Sequence, residues 1–571
     1  MLACSASMGA ADTLTLHGLF PSDRVLDVQI TLSKEDWNSR RYQTRDRNSL
    51  GNRRLKPLES PFSYFKGHVT IDGVEFPDVG VRKKGFLGSL SSSRPSLKIK
   101  LNFFDRSADL GGLKTLTFNN NQQDRALLSQ YMSYAVFNDA GSPGSRWAFA
   151  SVTVNGKHLG VYSHVESVKQ PLLQREFGTD KGTLYEGTAV DFDPGWENSF
   201  ERKMGDDGPG RRKIRQIIEA LQGDPGNPIT STDAEIRAWA ATSAKHDRKW
   251  MTSGFNDSGW KVGRNGAGYE RDRGYESFIH SSFNFEDQLF NRTASIYLRI
   301  PFAIENLASL KESGQLTLRV RYDDGFVAYL NGERVASANT PERPRWDSLA
   351  TDNHDDSAAT AFQPFYISDY AGRLRQGRNV LAIQGLNISR ESTDMLSEAA
   401  LRSESNTLEQ TIAEHVDLDS FYKFWAIEGL LGFWDGYSGN RNNFFFYHNP
   451  KTGKIHFIPW GADALFTNES WVRSTVGLPR SVKTRGVIAN RLWSYKNVRK
   501  RYARTMKGLL DNHWDAEKLL TETHRLEAML KPHVAPSQKR FQRSLNEMRR
   551  FINGRRTEVM AEIKENLPPG S

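Results

Sequence analysis

Apolar and polar residues alternate with a period of two at several places in the first third of the chain. VLDVQITL (25–32), HVTIDGVEF (68–76) and SVTVNGKHLGVY (151–162) each put Val, Ile, Leu or aromatic residues on one side, the pattern of a half-buried strand. Asp72-Gly73 and Asn155-Gly156 sit inside the last two runs, where a tight hairpin turn needs residues that tolerate positive φ. Ser33, with Asp36 three residues on, opens a helix after the first strand. Between the hairpins the period changes: Leu127, Leu128, Tyr131, Met132, Ala135 and Val136 mark one face of a helix that Gly141 stops. Residues 25 to about 185 therefore predict a sheet with a helix packed on it.

The pattern then shifts twice. Residues 186–235 are rich in Gly, Pro, Asp and Arg around a predicted helix, RRKIRQIIEALQG, and read as a connector whose acidic stretch DFDPGWENSFE (191–201) is solvated. Residues 238–401 carry short alternating runs, SIYLRIPFAI, QLTLRVRYDDGFVAYLNGERV and NVLAIQGL, separated by Asp-Gly and Asn-Gly turns, which predicts an antiparallel β-sandwich. Trp250, Trp260 and Tyr329 are expected in its core rather than on a sugar-stacking platform. From 405 to 571 helical spacing dominates, interrupted by a hairpin-like NNFFFYHNPKTGKIHFIPW.

Composition adds limits. The 571 residues carry 77 Lys plus Arg against 67 Asp plus Glu, a net charge of +10. Spread over this length, without a long basic tail or a nucleic-acid motif, that excess is a mild bias and no nucleic-acid partner is expected. No apolar run is long enough to cross a bilayer. Cys4 is the one cysteine, so disulfide frameworks and thiolate zinc sites are excluded. It stands in MLACSAS, where Leu-Ala-Cys before small residues resembles the end of a lipoprotein signal; the expectation is an extracytoplasmic protein, anchored by lipid at Cys4. Esterase, zinc-protease and P-loop motifs are missing.

The residues with chemistry gather late in the chain. Asp435 follows an apolar helix, Asn440 stands five residues on, and a hairpin then delivers Asp463. Carboxylates and an amide oxygen suit magnesium on a nucleotide better than zinc. The same Asp-x4-Asn spacing occurs in the catalytic loop of protein kinases, although alone it reads first as Asp435 capping a helix with Asn440 forming a turn. Upstream, Arg82, Lys83 and Lys84 precede the Gly85–Ser89 loop, which could cradle an anion, and SLKIKL puts Lys98 and Lys100 on one strand face. Glu166 follows the strand GVYSHV, and Asp124 reads as a helix N-cap.

In order along the chain, these phrases resemble the spore-coat CotH family of atypical kinases. The likeness covers about 25–235 and resumes at 405. It is carried by VTIDGVEFPDVGVRKKGFLGSLSSSRPSLKIKL, by NGKHLGVYSHVESV with LLQREFG, by FWAIEGLLGFWDGYSGNRNNFFFYH, and by FIPWGAD, which is similar to a Pro-Trp-Asp-x-Asp motif. The resemblance implies an α+β fold: a kinase-like two-lobed domain with segments 25–235 and 405–571, a flexible 1–24, and an inserted jelly-roll-like β-sandwich similar to galactose-binding modules. It implies an ATP- and Mg-dependent kinase (Mn in place of Mg as a variant) acting on a protein Ser or Thr. Asp435 would be the general base, Asn440 and Asp463 metal ligands, and Arg82, Lys98, Lys100 and Glu166 nucleotide contacts, Lys98 first among the lysines. Gly461 departs from the motif's first Asp, which keeps open an inert envelope protein with a glycan at the sandwich; a kinase acting on a sugar or small-molecule hydroxyl is the third reading.

Overall fold

The computed structural model describes residues 14–45, 56–58, 60–86, 88–222, 227–230, 235–246, 249–312, 315–404, 407–467, 478–534 and 539–566. Cys4 and Leu87 lie outside them. The chain divides into two compact units, Met1–Leu221 with Thr411–Trp493 and Asn497–Ser571, and Gln222–Gln410 with Ser494–Lys496. Among the described residues no helix is long and apolar enough to cross a membrane.

In the first unit, β1 (Val25–Thr31), β2 (Phe65–Ile71), β3 (Val74–Lys84), β4 (Ser96–Lys100), β5 (Thr115–Asn119), β6 (Trp147–Val154) and β7 (Lys157–Glu166) form a closed barrel in the order β1-β2-β3-β4-β5-β7-β6. The alternation predicts a sheet; closure is the difference. It arises because β1 is paired on both edges, Val28 opposite Ile71 in antiparallel β2 and opposite Val152 in parallel β6, which leaves no free edge. Val28, Ile71, Val81, Ile99 and Phe118 point inward and are fully buried. The same period sends Arg82, Lys84, Lys98 and Lys100 outward. Helix α1 (Lys34–Arg41) starts at Ser33, whose side chain accepts the Asp36 amide at 3.0 Å, and α2 (Ser129–Asp139) carries Tyr131, Met132, Ala135 and Val136 of the predicted face, whereas Leu127, at φ +61°, and Leu128 precede it.

The stretch expected as a solvated connector is instead structural. Strands β8 (Thr183–Gly187) and β9 (Glu201–Met204) join a hairpin from the late segment, β10 (Phe444–Asn449) and β11 (Lys454–Pro459), in a four-stranded sheet ordered β11-β10-β8-β9. Phe445 pairs with Glu186 and Phe446 with Tyr185, so two segments over 250 residues apart share one sheet. Phe192 and Phe200 are fully buried, 5.4 and 5.2 Å from the Phe446 ring, and Asp191 is buried with them. Its apolar partners lie in the late segment, which is why local composition reads as polar.

The second unit holds two sheets that share one core. A six-stranded sheet includes Ser295–Ile304, Gly325–Leu330 and Gly377–Leu386; the other includes Gln315–Tyr322 and Asp394–Glu404. Leu298, Ile383 and Phe326 from the first meet Leu318, Val320 and Leu401 from the second. Trp250, Trp260 and Tyr329 form a separate buried cluster, with Trp250 stacked on Tyr297 at 4.1 Å.

Candidate functional site

Helix α3 (Leu418–Leu430) is capped at its start by Asp417, which accepts the Ser420 amide at 2.9 Å, and at its end by the buried Arg555, which donates to the carbonyls of Gly429 and Leu430 at 2.6 and 2.8 Å. Both ends are therefore fixed before the chain enters the Asp435 loop. The next helical turn, α4 (Tyr437–Asn440), is held by Glu428. This fully buried carboxylate accepts the amides of Tyr437 and Ser438 at 2.9 and 2.8 Å and the Ser438 hydroxyl at 2.5 Å. Asp191 accepts the Tyr437 hydroxyl at 3.1 Å and the Val487 amide at 2.8 Å. Two buried acids thus anchor one short loop.

On that loop three amides converge on Asp435. Asn440 and Asn442 donate to Oδ1 at 2.7 and 3.2 Å, and Asn443 donates to Oδ2 at 2.8 Å. Burial pushes the Asp435 carboxyl up from its ordinary value, and the three amides oppose that shift. Because Asn440 donates through Nδ2 here, its Oδ1 is the atom that could hold a metal. Arg441 and Asn443 both have positive φ, 56° and 51°, a backbone cost that the surrounding bonds sustain.

Asp463 follows β11 and a turn at Gly461, whose φ of +55° favours glycine. Burial and the negative charges of Asp124 and Asp435 push the Asp463 carboxyl up to about 7, and Lys84 partly offsets them. Asp124 is the third acid. It is fully buried and accepts the Ser129 amide and hydroxyl at 2.7 and 2.9 Å, so it holds the turn before α2 while facing Asp463; burial pushes it up to about 7. The N-cap reading of Asp124 does not hold, because Leu128 is the N-cap of α2; Asp124 accepts the Ser129 amide from four residues before it, across the intervening turn.

The cations stand on the outer face of the barrel. Arg82 is directly opposite Lys98 in the β3–β4 register. Burial first, and then Arg82, bring Lys98 down to about 7, with Glu186 acting the other way. Lys84 donates to Asn119 Oδ1 at 2.6 Å and lies 5.5 Å from the Trp460 ring; burial lowers it to about 8 against the pull of Glu186 and Asp463. Burial alone would raise Glu186, but Lys203 at 2.6 Å, Lys98 and Lys84 hold it below the usual range. Lys84, on barrel strand β3, thus feels both Glu186 of β8 and the late segment's Asp463.

Other expected residues go elsewhere. Lys100 lies 5.6 Å from the Phe103 ring, and Arg82 stacks on Tyr64 at 5.1 Å. Glu166 is buried, paired with Arg175 at 2.7 Å and with the Arg146 amide at 3.0 Å, so its carboxylate is committed to the structure at the end of β7. In the Gly85–Ser89 loop the Phe86 amide donates to Ser89 Oγ and the Ser89 amide to Phe86 O, both at 3.0 Å. Those two amides serve the turn. Glu186, Glu428 and Asp191 are absent from the expected set, Lys84 is expected only as a cation beside the Gly85–Ser89 loop, and Asp124 only as a helix cap. The period of two offered Lys84, which shares a face with Arg82; nothing local marks the others.

The sequence matches the family described as CotH kinase protein over residues 81–220 and 384–559, more than half of the chain. The chain belongs to the CotH kinase protein family. In this CotH protein the cations of β3 and β4 fall in the first matched segment, and Asp435, Asn440 and Asp463 in the second. No curated protein matches it. Solved structures similar to part of it include β-glucuronidases from Bacteroides uniformis (14% identity, TM-score 0.19, 30% of this chain and 17% of that one) and Ruminococcus gnavus (10%, 0.19, 29% and 22%). A glycosyl hydrolase family 2 member from Bacteroides cellulosilyticus gives 14% identity and a TM-score of 0.16, over 29% of this chain and 20% of that one. This CotH protein thus spans less than a quarter of their length.

Proposed function

We propose that the first unit is a two-lobed, kinase-like phosphotransferase that moves the γ-phosphoryl group of ATP to a hydroxyl, and that the second is a β-sandwich module carried with it. The observation behind this reading is the half-buried positive charge of Lys84, Lys98 and Lys203 around Glu186, with Arg82 opposite Lys98, reaching to Asp463 through Lys84. Two lysines brought down to about 8 and about 7 lack enough counter-charge on the protein. A polyphosphate supplies it. Asp435, oriented by three amides, is the group to receive the acceptor hydroxyl's proton, and Lys98 and Lys84 position the phosphates.

The donor set also fits magnesium. Asp463 and the Asn440 amide oxygen are hard oxygen ligands, and the repulsion that Asp124 and Asp435 exert on Asp463 is what a cation relieves. Among the described residues no three His, Cys, Asp or Glu side chains close on one point, so waters and phosphate oxygens would complete the shell. When bound, the ion would neutralise charge on the transferring phosphate.

The fuller reading takes a protein Ser or Thr as acceptor and places the chain outside the cytoplasm, anchored at Cys4. A second reading, a catalytically inert protein, rests on Gly461, where the family resemblance leads one to expect a carboxylate. Stabilisation by a non-hydrolysable ATP analogue with magnesium separates the two from a non-nucleotide protein: the expected result is a raised melting temperature in wild type that Lys98→Met abolishes. No stabilisation by any nucleotide would sink both the kinase and pseudokinase forms.

A further inference from the structure

On the outer face of the barrel, the line of cations beside Asp463 continues into an exposed aromatic rim. Residues directly opposite one another in a ladder share a face, and the β3–β4 register gives three such pairs: Lys84 with Ser96, Arg82 with Lys98, and Gly80 with Lys100. Each pair is two residues from the next, so the first and third are about 13 Å apart. Just past the third pair, Phe103 and Phe104 are 40% and 49% exposed, where large rings are usually covered, while Lys84 and Lys98 are half-buried. The line therefore runs from Lys84, which feels the charge of Asp463, out to two exposed rings.

Gly80 makes that rim possible. A Cβ there would stand 2.6 Å from Phe103 Cγ, so the missing side chain lets the Phe103 ring lie against the strand. The ring centres of Tyr64 and Phe104 are 4.8 and 4.9 Å away, and the Lys100 ammonium is 5.6 Å from the centre of the Phe103 ring. Arg82 lies 5.1 Å from the Tyr64 ring and donates to Ser60, which ties the second pair to the rim. Lys66, beside Phe104, is committed to Asp78 at 2.9 Å. Lys98 and Lys100 are not committed: neither ammonium has a hydrogen bond or ion pair with a described residue. Two sets of donors without acceptors and an exposed ring thus share one face of the barrel.

A nucleoside triphosphate carries phosphates, ribose and base in the order in which this face presents cations and then rings. We infer, resting on the phosphotransfer reading above, that the nucleotide lies along the β3–β4 register, with its phosphates at Lys84, Arg82 and Lys98, its purine stacked on Phe103 at the rim, and Lys100 donating to the purine's edge. Stacking accepts either purine, because every base has a π-face. Lys100 tips the balance. An ammonium only donates; guanine offers acceptors at N7 and O6, whereas adenine offers N7 beside an N6 donor. The site thus takes guanine nucleotides at least as well as adenine nucleotides, and Phe103 and Lys100 set that preference.

The test measures dissociation constants of the full chain, with magnesium, for non-hydrolysable ATP and GTP analogues and for inorganic tripolyphosphate, which has the charge but no base. Expected in wild type are a GTP analogue bound at least as tightly as the ATP analogue, and both at least about tenfold tighter than tripolyphosphate. Phe103→Ala and Phe103→Leu should each weaken both analogues about tenfold and leave tripolyphosphate unchanged, while Phe103→Trp keeps wild-type binding. Lys100→Met should weaken the GTP analogue more than the ATP analogue. A wild type that prefers the ATP analogue by more than about tenfold, or analogue binding unchanged in folded Phe103→Ala and Phe103→Leu, would overturn the rim site and leave the phosphotransfer reading standing. A wild type that binds none of the three would overturn both.

Discussion

Asn440 Nδ2 lies 2.7 Å from Asp435 Oδ1, so the five-residue spacing visible in the sequence becomes a direct hydrogen bond that aims the carboxylate and turns the amide oxygen outward. Asn442 and Asn443 complete the set. Asp435→Asn preserves shape and removes the base. It is expected to lower kcat by about a hundredfold or more while nucleotide-induced stabilisation remains, since the lysines that hold phosphate are untouched; a matched loss of nucleotide binding would contradict the division of roles.

Lys98 gives a pH dependence of defined sign. Its ammonium is brought from 10.5 to about 7, chiefly by burial and then by Arg82. Between those values the unfolded chain holds a proton that the folded chain releases. The cost of Lys98 to the ligand-free fold is therefore absent above 10.5, grows as pH falls, and is complete below about 7. Lys98→Met should raise stability by about 3 kcal/mol in mildly acidic buffer and by little in strongly alkaline buffer, read from denaturant unfolding at each pH. An equal gain at all pH values would mean that repacking rather than charge is responsible.

Gly461 is more than a missing carboxylate. At φ +55° a Cβ would stand 2.7 Å from Asn443 Oδ1, and Asn443 is held by Asp435. Restoring the family residue with Gly461→Asp is expected to cost about 1–2 kcal/mol and to lower rather than raise activity by displacing Asn443. Adding Asn443→Ala should recover part of the stability. Higher transfer activity in Gly461→Asp alone would show that the carboxylate is needed and is accommodated.

Glu428 touches neither Asp435 nor Asp463, but it carries the turn between them by accepting two amides and a hydroxyl. Glu428→Ala leaves those donors buried and is expected to cost about 2–4 kcal/mol. Glu428→Gln should fold better, with reduced kcat and nucleotide KM little changed. A shift in KM alone would argue against a role in holding the Asn440 turn.

The local features were legible. Both Asx-Gly hairpins, the Ser33 cap and the α2 face follow from periodicity and turn chemistry, which act over a few residues. Barrel closure was not, because the pairing of β1 with β6 spans more than a hundred residues and leaves no mark on either strand. The misread stretch at 191–201 fails for the same reason: Phe192 and Phe200 find their apolar partners at Phe446 and Phe457, far along the chain. At the site, Asp435 and Asn440 are close in sequence and could be paired on paper. Lys84, Glu186 and Asp124 gain their significance only from neighbours brought in by sheet register. Glu166 looked available because a residue after a strand carries no trace of its future partner, Arg175.

The most direct measurement is transfer of labelled γ-phosphate from ATP, with magnesium and then manganese, by wild type, Asp435→Ala and Asp463→Ala, offering the protein itself and a serine-rich protein as acceptors. The account expects label on an acceptor with wild type and its loss in both variants, each still folded by its melting curve. Label incorporated equally by all three proteins would contradict the assignment of Asp435 and Asp463 as the centre of the chemistry.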